Sequence, residues 1–412
     1  MFLITTALQE TFPQDKDTEV IFLGEWCRTF NTKNVWKHFN SRVIPYHWDN
    51  REKLYSDYHE FVDLYEKILV DLYLELNKIH GVDYSSRYWR ILIGPWLANF
   101  MQIVLDRYTM LQLAFKDHQS YELLAIAREK FSYVPNDMAE FMQVLATDDW
   151  NESIYVQLIE SCWPHQVKIN WVKRTKKSPP YSLKPRSLKI YIKNKILPIS
   201  NRVLSKEDDV FFIESYLPLK TLFKLQLQLG QRPTVWKSQS VPVFEVNPEQ
   251  RNWDIEKESV VGFEKVIREI IPNNIPTVYL EGYPNLCKKI KKLYWPKNPK
   301  SIFTSNSLHS DDIFKAWAAI KTKDGSRLII GQHGGHYGTG LFSTIEDHEI
   351  KIADSFLSWG WSDKEKKNIK PVGNIKCLGS NVDYDPRGGA LMVEMTLPRY
   401  SYHMMSIPIA SQ

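Results

Sequence analysis

The stretch SRLIIGQHGGHYGTG, residues 326–340, constrains the fold more than any other. Leu328 to Ile330 are consecutive apolar residues, which reads as a short buried strand. The chain then turns at once to Gly331, Gln332, His333, Gly334, Gly335, His336, Tyr337, Gly338 and Gly340. A buried strand running into a polar, glycine-rich loop fits an open α/β sheet, whose ligand crevice lies outside the carboxyl ends of its strands. Glycine lets the backbone turn sharply and lets a ligand approach the main chain. Histidine titrates near neutral pH, so His333 or His336 can take a proton there. A glycine turn with incidental histidines fits the same letters, and the spacing alone does not choose.

The strand-to-loop pattern recurs. Residues 2–7 and 19–23 read as buried strands, the second ending at Gly24, Glu25, Trp26 and Cys27. Residues 209–214, 301–304 and 355–359 read as further strands, with helices at about 217–229, 260–271 and 310–321. Ser305, Asn306 and Ser307 stand at one of these strand ends. Alternation at this pace predicts an α/β fold with a Rossmann-like parallel sheet, drawn from segments near 1–48 and 205–380. Between them, Tyr58, Phe61, Tyr65, Leu69, Leu72 and Leu76 recur at helical spacing. This predicts a large inserted helical subdomain over about 50–165, with segments near 85–116, 119–130, 136–147 and 150–163. Residues 166–200 form an exposed basic loop by composition, with no Asp or Glu between Lys168 and Lys195. NVDYDPRGG (381–389) reads as a linker and ALMVEM (390–395) as a fresh strand. The expectation is one domain over 1–388 and the truncated start of a second Rossmann-like domain over 389–412.

Several classes are excluded. The four cysteines are scattered without a CxxC pair, which argues against a zinc knuckle or disulfide framework and fits a reducing cytoplasm. No apolar run reaches the roughly 18 residues of a membrane span, so any membrane association is expected to be peripheral. The net charge is only +5, but it is clustered over 168–195 and 288–300. Such patches suit anionic lipid or phosphorylated ligands, and no nucleic-acid-binding motif accompanies them. HGG at 333–335 lacks a GxSxG partner, and no Walker A sequence occurs. His333 and His336 lack an HExxH or carboxylate pattern, so no metal is expected. Asp106-Arg107 on an apolar helix is expected to be an internal pair rather than a ligand site.

FLITTALQETFP, EVIFLGEWC, PYHWDNREKLYSDY, LNKIHGVDYSSRYWRILIGPWL, DRY, IFTSNS, DDIFKAWAA, LIIGQHGGHYG and EDHEIKIADSFLSWGW together span the chain. In these motifs the sequence resembles a family of transferases encoded in O-antigen and other bacterial surface-polysaccharide gene clusters, similar to two-domain GT-B glycosyltransferases. The resemblance implies the N-terminal half of a GT-B protein, with a second Rossmann-like domain further on. It implies transfer of a sugar from a nucleotide-activated donor to a lipid-linked O-antigen or surface-polysaccharide acceptor, as in lipopolysaccharide synthesis, at the inner face of the cytoplasmic membrane. The nucleotide sugar is then a substrate, and no bound cofactor or metal is required. Transfer of a polyol phosphate, or a noncatalytic assembly role, are the alternatives.

Carried onto residues, the resemblance makes Gly24, Glu25, Trp26 and Arg28 cleft candidates. It matches Gln332, His333, Gly334, Gly335, Tyr337 and Gly338 in the glycine loop, beside His336, and the acidic positions Glu346, Glu349 and Asp354. An acceptor hydroxyl needs a base at neutral pH. His333 is expected to be that base, with Glu346 or Asp354 orienting its ring, in one cleft with Glu25 and Ser305 or Asn306.

Overall fold

The computed structural model describes residues 1–117, 120–174, 204–255, 259–379, 385–394 and 397–409. Two parallel sheets organise them. The first comprises β1 (Phe2–Ile4), β2 (Val20–Phe22), β3 (Ser41–Val43), β4 (Tyr121–Ile126) and β5 (Val167–Val172), in the order β3-β2-β1-β4-β5. The order in which strands are added reverses between β1 and β4, so that sheet has a topological switch point there. The second comprises β6 (Phe211–Ile213), β7 (Ser301–Thr304), β8 (Arg327–Gly331), β9 (Ser355–Ser358) and β10 (Ile369–Pro371), in unbroken sequence order. Every strand pairing is parallel. The α/β, Rossmann-like reading therefore holds.

The described helices include α1 (Lys33–Trp36), α2 (Arg51–His80), α3 (Ser86–Ala114), α4 (Met138–Val144), α5 (Asp148–Cys162), α6 (Leu219–Gln228), α7 (Gly262–Asn274), α8 (Tyr283–Lys291), α9 (Asp312–Lys323) and α10 (Thr344–Ile352). Asn50 starts α2 by accepting from the Lys53 amide at 3.0 Å, and Gly81 ends it in the left-handed region at φ 61°. Between these caps, Leu54, Tyr58, Phe61, Tyr65, Leu69, Leu72 and Leu76 form one buried stripe. That stripe packs on α3, which is apolar on nearly every face and also meets α5, α7, α9 and α10. A helix buried all round belongs at the centre of a large core. Here α3 stands between the two sheets, and one continuous core joins them. The other face of the second sheet, through Phe212 and Phe303, packs on Leu222 of α6 and on Ile375, which follows β10.

Four expectations change. The strands near 1–48 and 205–380 do not share one sheet, because the first sheet is completed from inside the block read as helical. Residues 119–130 contain β4 rather than a helix. Tyr121, Leu123 and Ala125 are buried while Glu122 is exposed, a strand alternation that an apolar run hides. Residues 390–394 form no strand; they are irregular chain with Leu391, Met392 and Val393 exposed. Of the basic loop, 167–172 is β5, and 175–200 lies outside the described residues.

Residues 397–409 run back over the first sheet. Arg399 donates to Asp148 Oδ2 at 2.6 Å and to the Trp26 carbonyl at 3.3 Å. The Tyr400 hydroxyl donates to Asp148 Oδ1 at 2.5 Å, Arg107 donates to the Ser401 carbonyl at 2.9 Å, and the Met404 amide donates to Gln102 at 2.9 Å. Tyr400 and Met404 are buried. Arg107 is an internal residue, as expected: it pairs with Asp106 and holds Asn151 Oδ1 through Nε at 3.0 Å and Nη2 at 2.8 Å.

Candidate functional site

Gly331, the last residue of β8, stands where a side chain has no room. A Cβ would stand 2.7 Å from Ser305 Oγ, at the end of β7. Ser305 in turn donates to the Ser215 carbonyl after β6 at 3.1 Å, so three strand ends are tied together. The next residue, Gln332, is buried and fixes the loop's course. Its Nε2 donates to the Gly334 carbonyl at 2.7 Å, and its Oε1 accepts from the Trp359 amide at 2.8 Å and the Trp361 indole at 2.9 Å. Gly334 makes room for the His336 ring, and Gly335 sits at the exposed turn. Gly338, at φ 76°, donates its amide to Glu346 Oε2 at 3.0 Å, which anchors the loop to the first turn of α10.

This frame holds His333. Its Nδ1 lies 3.5 Å from Glu349 Oε1 and 3.4 Å from the Tyr337 hydroxyl, and its ring also bonds the Ser305 backbone. Glu349 is only 3% exposed at its side chain, whereas His333 keeps 20% open. Burial pushes the Glu349 carboxyl up to about 8. Burial, and then the neighbouring His336, push His333 below the usual imidazole range. Each member of the pair therefore favours its neutral form, for a cause of its own: mainly burial in both. Further histidines gather around it. Burial lowers His309, which follows β7, to about 4, with Lys315 and His333 adding to the shift. His403 of the C-terminal segment falls to about 4 by burial and the field of His309. His348 falls well below the usual range by burial, its ring pressed against Gly94 of α3.

These shifts fix how stability depends on pH. His309, His348 and His403 bind protons near 6.5 when unfolded but only at lower pH when folded. Their contribution is complete above about pH 6.5 and is lost as pH falls toward 4. Glu349 has the opposite sign: its contribution is full below about 4.5 and is lost as pH rises through about 8. Urea unfolding across this range is expected to show an acid limb from the histidines. Glu349→Gln is expected to flatten the decline between 4.5 and 8; an unchanged profile in that variant would refute the carboxyl's assignment.

The other expected residues divide between two places. Gly24, Glu25, Trp26 and Arg28 lie after β2, on the first sheet. A Cβ on Gly24 would lie 2.2 Å from the Trp26 ring, and the Trp26 indole donates to the Thr5 carbonyl at 2.9 Å. Arg28 pairs with Glu25 at 2.5 Å and covers the Trp36 ring. Among the described residues this group does not touch His333. The returning segment links them instead: the Tyr400 ring is 5.9 Å from Trp26, and His403 lies in the field of His309 and His336. Ser305 adjoins His333 and Asn306 is exposed beside it.

Two acidic assignments are corrected. Asp354 precedes β9, where its carboxylate accepts from the Leu328 amide at 2.7 Å and Arg87 at 2.9 Å. That is the amino end of β8, roughly 16 Å along the strand from His333 at about 3.3 Å per residue. Asp354 therefore cannot orient the ring. Glu346 binds the Gly338 amide, not His333. The carboxyl beside His333 is Glu349, one helical turn further along α10. The spacing of Glu346 and Glu349 on one amphipathic helix was the available signal. Among the described residues no group of three or more His, Cys, Asp or Glu is arranged to hold a metal, and no helix is long and apolar enough to cross a membrane.

The family model of the LIC12162 family transferase matches residues 1–412, and the chain belongs to that family. No curated protein and no solved structure matches it.

Proposed function

We propose that this LIC12162 family transferase moves a sugar from a nucleotide-activated donor to a hydroxyl of a lipid-linked O-antigen or surface-polysaccharide acceptor. The observation that carries this reading is the His333–Glu349 pair, held by a glycine-rich loop at the carboxyl edge of a parallel sheet. A second parallel sheet faces the same segment of chain, as a two-lobed GT-B-like transferase needs for donor and acceptor. In the transfer, neutral His333 takes the acceptor's hydroxyl proton. The acceptor oxygen bonds to the anomeric carbon, and the sugar–phosphate bond breaks with its electron pair passing to the leaving nucleoside diphosphate. Glu349, 3.5 Å from Nδ1, orients the ring, and partly open His333 passes the proton it has taken to solvent as the nucleoside diphosphate leaves. Exposed Lys288, Lys291 and Lys292 at the end of α8 supply positive charge for an anionic membrane surface beside a lipid-linked acceptor.

The test is a panel of nucleotide sugars with lipid-linked oligosaccharide as acceptor. Nucleoside diphosphate release that depends on the acceptor is expected for at least one donor. Nucleoside monophosphate release from CDP-glycerol or CDP-ribitol instead would move the reading to polyol-phosphate transfer. No release from any donor, with no nucleotide-induced rise in melting temperature, would leave a noncatalytic assembly role.

A further inference from the structure

We infer that a cavity of about 480 Å³ at the carboxyl edge of β4 and β5 is a saccharide-binding subsite. Its volume lies within the range of small-molecule sites and admits one or two sugar rings. One wall is Trp171, the penultimate residue of β5, whose side of the strand leaves it 52% exposed. A half-exposed indole forgoes burial energy that a core position would supply, and it offers a flat apolar face. The facing wall is the loop after β4. There Phe131 adopts φ 70°, a left-handed conformation that costs a non-glycine residue about 1 kcal/mol or more. Backbone strain of this kind collects at ligand sites. The turn is closed by the Val134 amide bonding the Phe131 carbonyl at 3.1 Å, and Tyr133 is tied to Asp149 Oδ1 at 3.2 Å.

The remaining lining is polar in a way that suits hydroxyls. The Asn273 amide and the Glu160 carboxylate reach the cavity, and neither makes a hydrogen bond or ion pair within the protein among the described residues. A pyranose has a face of C–H groups and a rim of hydroxyls. An indole takes the first, and planar amide and carboxylate groups take adjacent pairs of the second. A phosphorylated ligand suits the site less. Glu129, Glu160 and Glu269 outnumber the cations Arg128 and Lys130 in the lining, and Arg128 is already committed to Glu152 and the Asp149 carbonyl.

The subsite deepens the sugar-transfer reading and, as an acceptor site, rests on it. Asp149 bounds the cavity through Tyr133, while adjacent Asp148 holds Arg399 and Tyr400 of the segment that leads on to His403. The cavity and the histidine loop are thus joined through the same returning segment.

Binding is tested without turnover, on a microarray of bacterial surface-polysaccharide fragments followed by calorimetric titration of the strongest binder. Wild-type protein is expected to bind. Trp171→Ala is expected to weaken binding by about 10-fold with an unchanged melting temperature, and Trp171→Phe to retain most of it. His333→Ala is expected to bind as wild type. No binding by any glycan, or wild-type affinity in Trp171→Ala, overturns the subsite. Trp171-dependent binding without transfer from any nucleotide sugar keeps the subsite and removes the sugar-transfer reading above.

Discussion

Replacing His333 with alanine is expected to lower transfer by roughly 10²–10⁴-fold, the usual loss for a general base, while the fold stays intact. The ring is only partly enclosed, so its removal opens little of the core. Its Nδ1 lies 3.5 Å from a carboxyl that burial pushes up to about 8, so a group beside the ring changes charge near neutral pH. A competing role exists: the ring's bonds to Ser305 and Tyr337 brace the glycine loop. Melting temperature and turnover measured on the same preparation separate the two. A stable variant with unchanged turnover removes His333 as the base, and a destabilised variant with proportionate loss favours bracing. Glu349→Gln adds a readout that bracing does not move. It removes one titrating group of the pair, so the pH–rate profile should lose or displace a limb while the loop stays ordered.

The largest effect on stability is expected at Arg107. Arg107→Leu should cost about 3–5 kcal/mol, measured by urea unfolding, because one partner of a buried ion pair is lost while the other remains. Arg107 and Asp106 are each about 1% exposed. The guanidinium satisfies Asp106, the Asn151 side-chain oxygen and the Ser401 carbonyl at once. Leucine leaves Asp106 with His47, whose Nε2 is 3.0 Å away, and strands the other acceptors. Adding Asp106→Asn should recover part of the loss by removing the orphaned charge. A loss under about 1 kcal/mol for Arg107→Leu alone would show that the network carries little of the stability.

The strand ends were legible because parallel strands buried on both faces leave short apolar runs, as at Leu3, Ile21, Ile302 and Ile330, each followed by polar residues. Their grouping was not. Nothing local in Phe2–Ile4 says that its neighbour is Tyr121–Ile126, over a hundred residues on, rather than a strand beyond residue 205. Pairing depends on α2 and α3 returning the chain to the same edge. β4 itself was hidden because YELLAI satisfies either periodicity over so short a run. In the site, Gly331, Gln332, His333 and Tyr337 stood out by composition. Asp354 looked as promising as Glu349, since a sequence does not say at which end of a strand an acidic residue emerges. Only the turn of α10 decides that Glu349 points inward and Glu346 back toward Gly338.

The returning segment also bears on how the chain assembles. By residue 174 every strand of the first sheet has been synthesised, yet Arg107 still lacks the carbonyl of Ser401, 294 positions later. Asp148 likewise waits for Arg399 and Tyr400, 251 and 252 positions away. Contacts so distant along the chain reward folding only after the intervening polypeptide has compacted, and they slow the final step. The first lobe therefore leaves the ribosome with the Arg107 guanidinium held by Asp106 and Asn151 but short of one acceptor, and with Asp148 still waiting for Arg399 and Tyr400. Its last ordering event must follow the second lobe's, which makes the whole protein, rather than either sheet, the unit that reaches the native state.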